Sequence, residues 1–105
     1  MAAILIVDDS PTVRADLAAA LERAGFATLP CETLAEARIA LRSHPIALVI
    51  LDVQLPDGDG VELLVQIRKD GTLGDLPVLM LSTEAEIAGR IRELMRELRR
   101  GPDGF

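Results

Sequence analysis

The 105-residue chain has no Trp and no Tyr, and Phe26 and Phe105 are its only aromatic residues. A core must then be assembled from Leu, Ile, Val, Ala and Met, and few platforms remain on which bases would stack. Cation is scarce too: eleven basic residues stand against seventeen acids, for a formal charge of -6, whereas nucleic-acid phosphates call for a basic face. The composition therefore argues against nucleic-acid binding by this domain and favours proteins or a cation as partners. Cys31 is the only cysteine, which excludes an intrachain disulfide and reads as a small buried hydrophobe in a reducing compartment. No segment has the unbroken apolar length of a membrane helix, and the N-terminus reaches a strand-like run without a basic region or cleavage site. The expectation is a soluble, unprocessed, cytoplasmic protein without membrane contact.

Half of the residues are apolar, and their spacing alternates between two kinds of segment. Residues 2–7, AAILIV, form a β-branched run without polar alternation, as suits a strand buried on both faces of a parallel sheet. Ser10 and Pro11 then give an N-cap and a Pro at the first helical position, Val13, Leu17, Ala20, Leu21 and Ala24 repeat at helical spacing, and Gly25 stops the helix. Residues 26–29 read as a weaker edge strand closed by Pro30. Thr33 and Glu36 predict a capping box for a second helix whose apolar side is Leu34, Ala37, Ile39, Ala40 and Leu41. Residues 46–51 are the most apolar strand and hence the expected centre of the sheet. After a polar, Gly-rich loop, Val61, Leu63, Leu64 and Ile67 mark a third helix, residues 78–81 a fourth strand, and 84–100 one long final helix. Four β-then-α units without linker or repeat predict a single α/β domain over 1–105 with a parallel sheet and right-handed crossovers.

Parallel strands put all their carboxyl ends on one edge, so Asp8, Asp9, Asp52 and Ser82 are expected there together, on the edge where open α/β folds bind ligands. Each has a structural alternative: Asp8 and Ser82 as helix caps, Asp52 as the opener of an Asx turn. Those alternatives give no reason for three strands to end in carboxylate or hydroxyl on one edge. Carboxylates brought together repel and raise one another's pKa unless a cation intervenes, and hard oxygen ligands partly open to water suit Mg2+.

Three blocks, ILIVDDSP at 4–11, VILDVQLPDGDG at 49–60 and VLMLSTE at 78–84, resemble the signature segments of response-regulator receiver domains, the phosphorylated modules of two-component signalling. The resemblance implies a doubly wound, flavodoxin-like sheet in order 2-1-3-4-5. It implies Asp52 as the phosphoacceptor, supplied by a sensor histidine kinase or phosphotransfer protein. Mg2+ would be held by Asp9, Asp52 and the backbone carbonyl of Gln54, with Asp8 acting mostly through water, and Ser82 would hydrogen-bond the phosphoryl group as a switch. Pro56 and Gly60 match positions where the loop turns beside the acceptor. The module signals and is not an independent enzyme.

The family pattern continues with a fifth strand bearing a Lys and then a fifth helix, which this chain does not show: its order stops at 2-1-3-4, its only Lys is Lys69, and GPDGF at 101–105 resembles the lead-in to strand five. Without that Lys, phosphotransfer or switching is expected to weaken while Mg2+ binding is kept. An open fourth-strand edge and the spacing of Ile87, Ile91, Leu94 and Leu98 on the long helix predict self-association. The alternative function is a phosphorylation-impaired pseudo-receiver acting as a dimerisation or interaction module. A Mg2+ phosphohydrolase would want an acid two residues after its nucleophile, where Gln54 stands, and a nucleotide or flavin site would want a phosphate-cradling loop where Asp8, Asp9 and Ser10 stand. His44, before Pro45, reads as a solvated loop residue.

Overall fold

The computed structural model describes residues 2–81 and Arg96. Ser82, the helix expected at 84–100 with its apolar spacing, and the GPDGF segment lie outside the described residues. Strands β1 (Ala3–Val7), β2 (Thr28–Cys31), β3 (Ile46–Asp52) and β6 (Val78–Leu81) alternate with helices α1 (Pro11–Arg23), α2 (Leu34–Ser43) and α3 (Gly60–Lys69). A two-stranded antiparallel hairpin, β4 (Gln54–Leu55) and β5 (Gly58–Asp59), stands between β3 and α3. The main sheet has the order β2-β1-β3-β6 with every pairing parallel, which is the predicted 2-1-3-4 order.

The absence of polar alternation in β1 and β3 has its cause in the two cores. Leu5, Val7, Val49 and Leu51 face Leu34, Ala37, Ala40, Leu63 and Ile67 of α2 and α3. Ile4, Ile6, Leu48 and Ile50 belong to the opposite cluster, with Leu17 and Leu21 of α1. Adjacent residues thus enter different cores, and each must be apolar. Cys31 is buried in the first cluster as a small hydrophobe.

Helix α1 begins and ends as its sequence predicts. The Ser10 hydroxyl accepts the Val13 N–H at 3.3 Å, and Pro11 takes the first helical position. At the other end the Gly25 N–H donates to Glu22 O and the Phe26 N–H to Leu21 O, both at 3.0 Å, a Schellman closure with Gly25 at φ +96. That closure displaces the second strand. Phe26 is spent on ending the helix and packs beside the α1 core, so β2 starts at Thr28 and runs through Pro30, opposite Ile6. Pro30 is tolerated because β2 is an edge strand.

Two further expectations are corrected. Ile39, assigned to the apolar side of α2, is 63% exposed, and Val61, which marks α3 as expected, is 45% exposed. The inward line of α2 is Leu34, Ala37 and Ala40 and that of α3 is Gly60, Leu63 and Ile67. Ile39 and Val61 fall a residue out of phase, about 100° around the helix. The predicted capping box is also only half made: Thr33 Oγ1 accepts the Glu36 N–H at 3.2 Å, while the Glu36 carboxylate accepts from Glu32 N, at 3.5 Å, rather than from Thr33. His44 is exposed at the C-cap of α2.

The join between β3 and α3 is the tightest point in the loop region. Gly60 opens α3 after the Asp59 cap, and a Cβ placed on it would lie 2.1 Å from the backbone oxygen of Asp52. The helix start therefore touches the end of the acid-bearing strand. Gly60→Ala is expected to destabilise the domain by about 1–3 kcal/mol in chemical denaturation, as overpacking against a fixed backbone does. Gly71→Ala, where a Cβ meets nothing within 4 Å, is expected to stay within about 0.5 kcal/mol.

Candidate functional site

Strands β1 and β3 are neighbours, with Val7 opposite Leu51, so the residues that follow them leave the sheet side by side. Asp8 and Asp9 come from the end of β1 and Asp52 from the end of β3. One carboxylate oxygen from each lies within 4.8 Å of the others. A cleft of about 380 Å3 opens beside them, lined by Asp9, Asp52, Val53 and Gln54. On the far side of β3, Leu81 of β6 pairs with Asp52. The sequence-predicted acids therefore converge with Gln54 at the rim, and Ser82 is beyond the described residues.

The three carboxylates sit in different surroundings. Asp8 is buried at 7% exposure, Asp52 is half-buried and Asp9 is exposed. Burial pushes the Asp8 pKa up, and the charges of Asp52 and Asp9 push it further. The Ser10 N–H, 2.8 Å from Asp8 Oδ1, and the charge of Arg14 act in the opposite direction. Among the described residues Asp52 holds only a long contact, 3.4 Å from its Oδ1 to the Gln54 N–H. That is the Asx-turn arrangement, present but weakly made.

Two residues near the site were not singled out from the sequence. Arg14 sits in the first turn of α1, where the helix dipole disfavours a cation, yet its Nη1 donates to the backbone oxygen of Asp8 at 2.7 Å. Its place six residues after Asp8, as the first cation to follow the two consecutive acids, is the one sequence signal that points to it. Asp57 lies at the turn between β4 and β5, and its two oxygens accept the N–H groups of Leu34 and Ala35 at 2.9 and 3.0 Å. Nothing local to QLPDGDG marks a partner twenty-three residues earlier.

The donor set fits a hard divalent cation. Three carboxylates within 4.8 Å, one of them resisting ionisation through burial and, less strongly, through the charges of the other two, and an open side toward water match what Mg2+ takes. Asp9 and Asp52 on the cleft side would hold it, with Gln54 at the rim and Asp8 behind. Its chemistry would be charge neutralisation at an incoming anionic oxygen.

An acid whose folded pKa is raised contributes stability below its unfolded pKa and loses it as pH rises through the folded value. Metal-free protein is therefore expected to lose melting temperature as pH climbs from the ordinary aspartate value through the raised Asp8 value. Asp8→Asn keeps an acceptor for Ser10 N–H and removes the charge; its Tm without divalent ions should exceed that of the unsubstituted chain at pH 7 and match it below about pH 4. Thermal melts across that range in EDTA check both.

Comparison with known proteins matches residues 4–100 to the response regulator receiver domain family. The phosphate regulon transcriptional regulatory protein PhoB of Pseudomonas aeruginosa is 35% identical over 91 residues, which cover 87% of this chain and 40% of that protein. Among solved structures, the MaeR response regulator bound to beryllium trifluoride superposes with a TM-score of 0.70 at 35% identity, covering 90% of this chain and 79% of that one. The chemotaxis response regulator CheY4 of Vibrio cholerae gives 0.74 at 27% identity, covering 90% and 80%. The chain spans about two fifths of the length of the curated relative. Parallel order, clustered acids and matched signature segments agree: the chain belongs to the response regulator receiver domain family of two-component signalling.

Proposed function

We propose that this chain is a phosphoacceptor receiver module in which Asp52 takes a phosphoryl group from a phosphohistidine of a sensor kinase or phosphotransfer protein. The observation that carries this reading is the meeting of the Asp8, Asp9 and Asp52 carboxylates within 4.8 Å beside an open cleft. An Asp52 oxygen attacks phosphorus, the phosphorus–nitrogen bond breaks, and the imidazole leaves with its electron pair and takes up a proton. Asp52 is thereby left as an acyl phosphate. Bound Mg2+ would neutralise the phosphoryl oxygens through the attack. Asp9, Asp52 and the Gln54 carbonyl are the ligands in this reading, with Asp8 acting through water. Ser82 is assigned the hydrogen bond to the phosphoryl group on the strength of its place after β6 in sequence. The phosphoryl mimic carried by the MaeR structure supports the same chemistry here. Receiver domains are signalling modules rather than classical enzymes, and the module is proposed to work in the cytoplasm; no helix among the described residues is long and apolar enough to cross a membrane.

The pseudo-receiver reading retains one specific support: among the described residues no Lys or Arg lines the cleft, and Arg14 donates to the Asp8 backbone oxygen. Intact-mass measurement after acetyl phosphate and Mg2+ separates the readings. A gain of one phosphoryl group, absent from Asp52→Asn, is expected; no gain in either chain would favour the interaction module.

Among the described residues, β6 has a strand partner only on its β3 side. An apolar edge of that kind invites pairing with another chain, so self-association through this edge or through the 84–100 segment is part of the proposal. Sedimentation at high protein concentration should return a mass above the 11.3 kDa of the single chain. A purely monomeric mass removes that part of the reading.

A further inference from the structure

The β4–β5 hairpin is held at its tip by a contact that neither strand pairing nor turn chemistry requires. Asp57 Oδ1 accepts the Leu34 N–H at 2.9 Å and Oδ2 the Ala35 N–H at 3.0 Å. With the Thr33 hydroxyl on Glu36 N–H, three of the four unpaired donors at the start of α2 are satisfied, two of them by one distant carboxylate. The helix dipole favours a negative charge there, and those N–H bonds, that of Leu34 foremost, hold the Asp57 carboxyl below the usual carboxylate range. A second contact seats the same turn. Gly58 lies so close over Leu34 that a Cβ on it would come 2.9 Å from Leu34 Cδ1, and Leu34 is fully buried in the α2–α3 core. The hairpin tip is thus referenced to the core at a polar point and at a steric one.

The other end of the hairpin is the cleft. Gln54 pairs with Asp59 across the hairpin, donates its N–H toward Asp52 at 3.4 Å and lines the cleft with Asp9 and Asp52. Only Leu55 and Pro56 separate it from Asp57. Fixing Asp57 on α2 therefore limits where the Gln54 backbone stands relative to the acids. We infer that Asp57 is a positioning residue for the acidic cleft: its seat on the α2 N-terminus holds the Gln54 backbone where a Mg2+ ion on Asp9 and Asp52 needs it. This inference rests on the Mg2+-dependent reading above. Linkage makes the effect reciprocal, so Mg2+ in the cleft tightens the Asp57 cap on α2.

Calorimetric Mg2+ titration of the full chain, with amide hydrogen exchange on the same samples, tests it. Asp57→Ala is expected to weaken Mg2+ binding about tenfold, the lower range of what outer partners of a metal site command. Asp57→Asn keeps one acceptor oxygen and should recover part of that loss. Thr33→Ala removes a cap from the same helix without touching the hairpin and should bind Mg2+ like the unsubstituted chain. Added Mg2+ should slow exchange at the Leu34 and Ala35 amides of the unsubstituted chain and leave them unaltered in Asp57→Ala. Unchanged affinity in Asp57→Ala overturns the inference, and so does an equal loss in Thr33→Ala, which would mark general destabilisation. Failure of the unsubstituted chain to take up Mg2+ overturns the metal reading itself and is distinguished by that titration alone.

Discussion

Repulsion among three carboxylates is the constraint around which this domain is arranged. Neighbouring parallel strands β1 and β3 both end in acid, and the register that pairs Val7 with Leu51 leaves Asp8, Asp9 and Asp52 no freedom to separate. Two apolar clusters, one on each face of the sheet, supply the burial that holds the strands in that register. The charge cluster is an unfavourable term that the cores carry. It is softened locally by the Ser10 N–H on Asp8 and by Arg14 nearby. A divalent cation would remove the remainder, so any affinity of the site for such an ion and the cost of the cluster to the metal-free fold have the same origin.

What was legible in the sequence follows from how local the responsible physics is. Strands β1 and β3 are readable because a strand buried on both faces leaves an unbroken apolar run, and the half-buried β6 keeps the same apolar run with residues packed on both clusters. The start and stop of α1 were readable because Ser10, Pro11 and Gly25 act within a few residues of themselves. The second strand starts later than its apolar residues imply because Phe26 serves the helix closure before it, a role that β propensity does not show. Ile39 is apolar yet exposed because it lies out of phase with the buried line of α2, which apolar content alone does not show. The β4–β5 hairpin has two residues per strand, too few for alternation to show.

The same distinction divides the site. Asp8, Asp9 and Asp52 needed only strand ends and parallel topology, and Gly60 needed only its place in the loop. Arg14 and Asp57 stayed hidden because each side chain bonds to backbone groups: the Asp8 carbonyl for one, the Leu34 and Ala35 N–H groups for the other. Every residue offers such a backbone partner, so identity at the partner position carries no signal. The capping box shows the same limit: Thr33 and Glu36 have the right spacing, but the Glu36 carboxylate accepts the Glu32 N–H, one backbone group further out, while Asp57 takes those of Leu34 and Ala35.

Among the three clustered acids the surroundings favour one as nucleophile. An attacking carboxylate needs a reachable oxygen with an uncommitted lone pair. Asp8 is buried, resists ionisation and has an oxygen occupied at 2.8 Å by Ser10 N–H, so it is the least available of the three. Asp9 is open to solvent and lies in the loop after β1, with no strand backbone behind it. Among the described residues Asp52 borders the cleft with only a 3.4 Å contact on its side chain, and its backbone is fixed on both sides by Leu81 of β6 and by the close approach of Gly60. A lightly engaged carboxylate on an immobile backbone can meet an incoming phosphorus without the protein reorganising. That combination supports Asp52, rather than its neighbours, as the acceptor.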